Sequence, residues 1–221
     1  MLRRLFVAVL SLALAAPGAY AQGAEDLARI SAYLNGFRTA DGTFVQANPD
    51  GSLSEGRFYI SKPGRIRFEY NPPNPALVVA DGIWVAVVDR LANSDPQRYP
   101  LGETPLDLLL RDRIDLNEEG AVRSVEREAG QMRVRAVDPD RPRQGTITMV
   151  FSDNPLELRQ WIIEDDQGQL TTVILGDMRR GIDVSRSLFS IEQAAREDFE
   201  TPGDGQSGPS SRPRDAGRVD R

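Results

Sequence analysis

Two residue types are missing from this 221-residue chain, which contains neither cysteine nor histidine. Without cysteine it can form no disulfide and offers no thiolate nucleophile. Without histidine it lacks the commonest general base and transition-metal ligand, which excludes a Ser-His-Asp triad and a zinc finger. An enzyme of this composition would depend on carboxylates alone. We therefore predict no enzymatic activity, no catalytic residue, no metal site and no cofactor.

Basic residues are fewer than acidic ones in this chain. The chain has 27 Lys and Arg against 33 Asp and Glu, for a net charge of -6, and Lys62 is its single lysine. Nucleic-acid binding draws most of its affinity from clustered basic side chains that neutralise phosphates. The composition therefore predicts that nucleic acid is not a partner.

Long hydrophobic runs are limited to the N-terminus. Arg3 and Arg4 precede an apolar run over residues 5–16, and the small residues Ala19 and Ala21 follow it. This order is typical of a secretory signal peptide, so we predict a signal over residues 1–21 and a mature chain that begins near Gln22. No later run approaches the roughly 20 apolar residues of a membrane-spanning helix. Because the mature chain has no cysteine, it cannot itself carry a thioether-linked lipid.

The C-terminal residues 200–221 are rich in Gly, Pro, Ser and charge and contain few apolar side chains. This composition predicts a disordered tail. The segment between the two ends, residues 22–199, is long enough to form one domain that buries most of its apolar surface.

The pattern within that domain predicts one helix followed by many strands. Leu27, Ile30, Leu34 and Phe37 recur at spacings of three and four, which is typical of an amphipathic helix. After this helix the apolar residues alternate with polar ones, and Gly, Pro, Asn and Asp separate the runs, as in antiparallel strands with one buried face. The alternating sets are Phe58 and Ile60; Ile66, Phe68 and Tyr70; Ile83, Val85 and Val87; Met132, Val134 and Ala136; Ile147, Met149 and Phe151.

A short helix interrupts the strands. Thr104 is placed to cap its N-terminus, with Pro105 as the first helical residue, and Leu106, Leu109 and Leu110 form an apolar stripe. Such a stripe either completes a closed core or covers an apolar cavity.

Several motifs occur in one order through nearly all of residues 24–190. Together they resemble the periplasmic outer-membrane lipoprotein carriers of the LolA family. The motifs are Phe44-Val45-Gln46, Gly56-Arg57-Phe58, residues 62–70, residues 77–82, Tyr99-Pro100-Leu101, Thr104-Pro105-Leu106, Gly145-Thr146-Ile147 and residues 161–165.

The resemblance implies a mainly β (α+β) fold: an incomplete antiparallel β-barrel with an N-terminal helix and short lid helices that cover an apolar cavity. It also implies a monomeric periplasmic carrier. Members of the family take triacylated lipoproteins from an ATP-driven ABC-type release complex in the inner membrane. They shield the acyl chains and pass the cargo to an outer-membrane receptor.

The resemblance assigns roles to particular residues. Lys62 stands where the family usually has an arginine that holds the lid shut through backbone carbonyls, and Arg65 is expected to share this latch role. Leu106, Leu109 and Leu110 are expected to form the lid. The expected lipid-binding cavity is lined by Phe58, Ile60, Ile66, Phe68, Tyr70, Val79, Ile147, Met149 and Phe151.

Other readings stay open on the sequence. Each cavity residue could instead belong to an ordinary core, because a cavity lining and a core have the same composition. A lipid or lipoprotein sensor of the same fold and a carboxylate-dependent hydrolase are the alternative functions. Glu164, Asp165 and Asp166 could suggest calcium, but their spacing does not match an EF-hand loop, and a hairpin turn is the expected structure.

Overall fold

The computed structural model describes residues 18–92 and 94–198. It begins with helix α1, Gly18–Asn35, whose apolar residues Ile30 and Leu34 are fully buried. Phe37, expected on the same helix, is buried just beyond its end. Most of the predicted signal peptide and all of the predicted tail lie outside the described residues. Within the described residues, no helix has the length and apolar character needed to cross a membrane.

Eleven antiparallel strands form a single sheet after α1. Their order in the sheet is β6-β5-β4-β3-β2-β1-β11-β10-β9-β8-β7. Strands β1 to β6 form one meander and β7 to β11 form another, and the pairing of β1 with β11 joins the two. The strands are β1 Thr39–Ala47, β2 Leu53–Ser61, β3 Arg65–Tyr70, β4 Ala76–Asp81, β5 Trp84–Asp89, β6 Gln97–Pro100, β7 Val122–Glu128, β8 Gln131–Ala136, β9 Thr146–Asp153, β10 Leu156–Glu164 and β11 Leu170–Arg180.

The sheet does not close, because β6 and β7 lie at its two ends and do not pair with each other. The architecture is therefore an incomplete antiparallel barrel, as expected. The connection from β6 to β7 contains a 3-10 turn, Leu101–Glu103, and the short helix α2, Asp107–Leu110. After β11 the chain forms a second 3-10 turn, Arg186–Phe189, and helix α3, Ile191–Ala194.

Each face of the sheet carries its own apolar cluster. The larger cluster fills the inner, concave face and includes residues from α1, α2 and both meanders. The smaller one lies on the outer face, where Phe189, Ile191 and Ala194 pack over β4 and β5. Strands under both clusters are buried on both faces, so their apolar residues run continuously instead of alternating.

Strand β5 shows this departure from the expected alternation. The expected set Ile83, Val85 and Val87 is only partly right, because Ile83 lies in the turn before the strand and is exposed. Val85 is buried toward the inner cluster, whereas Ala86 and Val88 are buried in the outer one. The C-terminal segment covers the outer face here, and a period-two pattern assumes that only one face is covered.

Arg67 holds this C-terminal segment on the outer face. Its side chain is only 3% exposed, and it forms ion pairs with Glu69 and Glu197. It also donates a hydrogen bond to the backbone oxygen of Leu188 at 3.1 Å. Burial lowers the pKa of the guanidinium, but its hydrogen bonds to the two glutamates outweigh that effect and raise the pKa overall. A buried charge compensated in this way ties β3 to the segment after β11.

Candidate functional site

Aromatic side chains meet on the inner face of the sheet. Phe68 lies at the centre, with its ring centroid 5.0 Å from Phe44, 6.1 Å from Trp161 and 6.4 Å from Phe58. The ring of Phe44 is in turn 5.2 Å from that of Tyr70. Most of these contacts are edge-to-face, the arrangement that aromatic quadrupoles favour. The rings come from four strands, so the cluster joins both meanders.

The structure brings eight of the nine predicted cavity residues to this inner face. Strand alternation accounts for the grouping, since β2, β3 and β9 each direct every second side chain inward. Their lipid-binding role stays a prediction. The eight are Phe58, Ile60, Ile66, Phe68, Tyr70, Ile147, Met149 and Phe151.

Val79 is the exception, and its assignment to the cavity is wrong. In the sheet it pairs with Arg67, whereas its neighbours Val78 and Ala80 pair with Phe68 and Ile66. Paired residues share a face, so Val79 lies on the outer face and packs in the cluster beneath the C-terminal segment. The motif over residues 77–82 is apolar on both faces, and its sequence therefore does not reveal which side chains point inward.

Tyr70 carries the polar atom at one end of the aromatic cluster. Its hydroxyl donates to Oε1 of Gln46 at 2.7 Å. Burial raises the pKa of Tyr70 to about 12, with the Gln46 hydrogen bond acting in the opposite direction. The hydroxyl therefore stays neutral at physiological pH and adds no charge to the inner face.

The three predicted lid residues face the inner cluster. Leu106, Leu109 and Leu110 are all buried in it, so α2 lies over the concave side of the sheet. The predicted cap is wrong: Thr104 Oγ1 donates to the Leu101 carbonyl oxygen, and no side chain caps α2. Thr104 is the residue that ends the preceding 3-10 turn, and its hydroxyl satisfies that turn instead.

A cleft of about 780 Å³ opens beside the lid. Its apolar lining includes Val85 and Tyr99 from the β5–β6 edge, Leu106 from the lid segment and Ile163 from β10. The cleft therefore connects the surface to the region between the lid and the open edge of the barrel. Its rim carries Glu103, Arg143, Gln144, Asp165 and Asp166.

Lys62 is buried, but it does not bind the lid helix. Its Nζ donates to the backbone oxygen of Leu34 in the last turn of α1, at 2.8 Å, and lies 4.6 Å from the centroid of the Phe37 ring. Burial, together with the weaker effect of the nearby Arg38 charge, lowers the pKa of Lys62 to about 8. The structure thus places the ammonium on α1, in contrast to the expected bond to the lid.

Arg65 does not reach the lid either, and this part of the expected latch is wrong. It shares the outer face with Arg67, two residues along β3, while Ile66 points inward. The contact between this turn and the lid comes from the backbone: Gly64 N–H donates to the Leu110 carbonyl oxygen at 2.9 Å. Gly64 has a φ of +77° there, which favours glycine.

The acidic residues considered for other chemistry cap turns. Oδ1 of Asp165 accepts the N–H groups of Gln167 and Gln169 at 2.9 and 2.8 Å, as expected for a hairpin. Asp81, a possible hydrolase acid, accepts in the same way from Ile83 and Trp84. Across residues 18–92 and 94–198, no group of three or more acidic side chains is placed to hold a metal ion.

The fold and the sequence were compared with those of known proteins. A solved outer-membrane lipoprotein-sorting protein domain from Vibrio parahaemolyticus has the same fold, with a TM-score of 0.51 and 10% identity over 80% of this chain and 100% of that one. The family model described as outer membrane lipoprotein carrier protein LolA matches residues 35–192. This chain belongs to the LolA family.

Relatives within the LolA family cover most of the chain. The outer-membrane lipoprotein carrier protein of Methylococcus capsulatus is 27% identical over 175 residues, which span 76% of this chain and 83% of that protein. The protein of the same name from Chromobacterium violaceum is 27% identical over 207 residues, 86% of this chain and 94% of that one.

Sequence reasoning assigned no role to Phe44 or to the residues that follow the lid. The Phe44 ring contacts those of Phe68 and Tyr70 on the inner face. It occurs in one of the motifs that carry the LolA resemblance, which was the available signal. The residues after the lid form hydrogen bonds and an ion pair with side chains of α1 and of Arg38, and such contacts leave no periodic pattern in the sequence.

Proposed function

We propose that this LolA-family protein is a periplasmic carrier that shields the acyl chains of lipoproteins. One observation carries the proposal. The sheet is left open between β6 and β7, its apolar inner face is covered there only by a short segment with one four-residue helix, and a cleft of about 780 Å³ adjoins that segment. A cover held at one edge of an apolar face is suited to admit and release hydrocarbon.

The energetics favour a carrier that exchanges its cargo instead of binding it from water. Three long acyl chains contain on the order of 45 methylenes, each worth about 0.8 kcal/mol against water, or roughly 36 kcal/mol in all. That value exceeds the ceiling for non-covalent affinity, near 18–21 kcal/mol. Loading therefore replaces one apolar environment, the bilayer, with another, and the net change stays small enough to reverse.

The resemblance to the LolA family implies the proposed partners, and the energetic balance is consistent with them. Triacylated lipoproteins are the cargo. An ATP-driven release complex in the inner membrane supplies the work of loading, and an outer-membrane receptor with a somewhat more favourable cavity accepts the cargo. The direction of transfer then comes from graded affinities, and we assign no catalytic step to this chain.

Native mass spectrometry of the full-length exported protein tests this function. The protein is purified without detergent together with a triacylated lipoprotein. We expect a stoichiometric complex for the wild type and for Leu53→Glu, because Leu53 lies on the outer face and is 71% exposed. We expect loss of the complex for Leu109→Glu, because a carboxylate cannot remain in the apolar cluster that Leu109 occupies.

Circular dichroism separates a loss of loading from a loss of folding in this experiment. Leu109→Glu must retain the β-sheet spectrum of the wild type to count as a test of loading. A folded Leu109→Glu protein that loads fully contradicts the role of the lid. A wild-type protein that takes up no lipoprotein, even with the inner-membrane complex and ATP supplied, contradicts the carrier function itself.

A further inference from the structure

The segment that follows the lid helix lies along α1. We call residues 111–116 the strap, because they connect α2 to the sheet. The side chains of Ile114 and Leu116 are buried in the inner cluster, whereas Asp112, Arg113 and Asp115 are exposed. Burial alternates over residues 113–116, which gives this part of the strap one apolar and one solvated side.

Three polar side chains, two on α1 and one just after it, contact every second residue of the strap. The strap runs antiparallel to α1, so the first of the three side chains contacts the last of these strap residues. Ser31 Oγ accepts the Leu116 N–H at 3.0 Å. Asn35 makes two bonds to one residue: its Nδ2 donates to the Ile114 carbonyl oxygen at 2.8 Å, and its Oδ1 accepts the Ile114 N–H at 2.9 Å. We call the set Ser31, Asn35 and Arg38 the polar stripe.

Arg38 completes the polar stripe through an ion pair with Asp112. Ser31 and Asn35 are four residues apart on α1, which places them on one side of the helix, and Arg38 lies in the bend that follows it. The strap residues that they hold are spaced by two. The amide of Asn35 satisfies both backbone groups of Ile114, as a neighbouring strand would, and this is the central contact of the three.

Helix α1 is itself fixed to the sheet by other residues. Asp26, at its midpoint, forms an ion pair with Arg127 at 2.7 Å. In its last turn, Tyr33 Oη accepts the Leu158 N–H at 3.1 Å and the Leu34 carbonyl oxygen accepts from Lys62. Helix α1 is therefore held on the sheet by contacts that do not involve the strap.

A small cavity of about 180 Å³ lies beneath the strap. Its lining includes Ile114 and Leu116 from the strap, Ala136 from β8 and Met149 from β9. Incomplete packing below the strap lowers the apolar contact that is lost when the strap lifts. The hydrogen bonds and the ion pair of the polar stripe therefore hold the strap at a place where apolar packing is incomplete.

We propose that the polar stripe, with Asn35 at its centre, is the latch that keeps the lid closed by holding the strap on α1. This inference rests on the proposed carrier function and identifies how its lid is held. Asn35 acts as a positioning residue, since it holds the lid through the strap without contacting the cargo. Asn35 is exposed, so its replacement leaves the apolar clusters intact.

Hydrogen exchange measures the latch without any ligand. We expect Asn35→Ala to speed exchange of the strap amides, in particular the Ile114 and Leu116 N–H groups, about fivefold or more. Arg29→Ala is the matched control, because Arg29 is also an exposed polar side chain of α1 and, among the residues that the structure describes, its ion pairs are with Asp26 and Asp153 and not with the strap. Strap amides that exchange at the wild-type rate in Asn35→Ala overturn the proposal.

Stopped-flow uptake of a fluorescent triacylated cysteinyl peptide measures the consequence. We expect Asn35→Ala to load about fivefold faster than the wild type and Arg29→Ala to load at the wild-type rate. A different result is that Asn35→Ala folds, exchanges its strap amides faster and still loads at the wild-type rate. That result would show that the polar stripe is not the latch of the lid, and it would leave the carrier function unaffected. A wild-type protein that takes up no peptide overturns the carrier function, and hydrogen exchange still decides whether Asn35 holds the strap.

A covalent lock tests whether the strap must leave α1. The chain contains no cysteine, so Asn35→Cys with Arg113→Cys gives one pair for a short bis-maleimide linker. We expect the linked protein to fail to load and the same double variant without the linker to load. A linked protein that loads at the unlinked rate shows that the strap stays on α1 during loading and overturns the proposal.

Discussion

Nζ of Lys62 donates to the backbone oxygen of Leu34 across 2.8 Å, which joins the turn after β2 to the C-terminal end of α1. A cation at this end of a helix satisfies a carbonyl that has no partner within the helix and complements the helix dipole. The position is buried, and burial lowers the pKa of the ammonium to about 8. The structure thus places a partly desolvated charge at the end of α1 and not on the lid.

The first prediction concerns the protonation of Lys62. It is the only lysine of the chain, so ¹³Cε-lysine labelling gives a single NMR signal from an ordered side chain. We expect this signal to titrate near pH 8, below the value of 10.5 for an unperturbed lysine. A midpoint above pH 10 contradicts the burial of the ammonium.

The same shift predicts how stability depends on pH. Between about pH 8 and pH 10.5 the unfolded chain keeps its proton on Lys62 and the folded chain does not. The free energy of unfolding therefore rises with pH across this window, by up to about 3 kcal/mol relative to its value below pH 8. Denaturant unfolding of the wild type and of Lys62→Met measures this rise, since the variant lacks the titrating group. Parallel pH profiles for the two proteins would contradict the prediction.

Arg67→Met should release the C-terminal segment. The change leaves Glu197 and the Leu188 carbonyl oxygen without their shared donor, and the loss of hydrogen bonds to a charged group costs about 1.5–3 kcal/mol. We expect a lower free energy of unfolding and earlier proteolysis within residues 186–197. Arg98→Met is the control, because its ion pair with Glu192 in the same segment is exposed and worth at most about 1 kcal/mol.

Val79→Ala and Phe68→Ala should separate stability from uptake. Val79 is buried on the outer face, so its truncation should cost about 2 kcal/mol of stability and leave acyl-peptide affinity unchanged. Phe68 is central to the inner aromatic cluster, so its truncation should lower both stability and affinity. Chemical denaturation and equilibrium peptide binding give the two quantities. A loss of affinity in Val79→Ala at full folding would place Val79 in the binding site after all.

Gly56→Ala should be strongly destabilising, by about 3 kcal/mol. A Cβ at this position would lie 2.0 Å from the Glu69 backbone oxygen and 2.9 Å from the Phe44 ring, so β2 and β3 could not keep their spacing. Gly23→Ala is the control, because a Cβ on this α1 residue meets nothing within 4 Å and removes a glycine from a helix. Thermal unfolding of the two variants tests the difference, and equal midpoints would show that the strands can shift apart.

The amino-acid sequence by itself determined the fold class and most of the inner face. Period-two alternation in Ile66, Phe68 and Tyr70 and in Ile147, Met149 and Phe151 assigns both strand and face, because a strand that is buried on one side has no other way to arrange its apolar residues. The leucines of α2 likewise predicted a segment that covers something apolar. The ordered motifs predicted the family.

The tertiary structure decided which face some side chains lie on and which distant groups they contact, and no local sequence pattern specifies either. Val79 was assigned to the wrong face because the C-terminal segment buries the outer side of β4, and this cover comes from more than 100 residues away in sequence. Lys62 donates to α1 because the end of that helix, and not the lid, lies within reach of its Nζ. The contacts of Asn35 with Ile114 are of the same kind. A hydrogen bond between one side chain and a distant backbone depends on a distance of about 3 Å that only the packed chain sets.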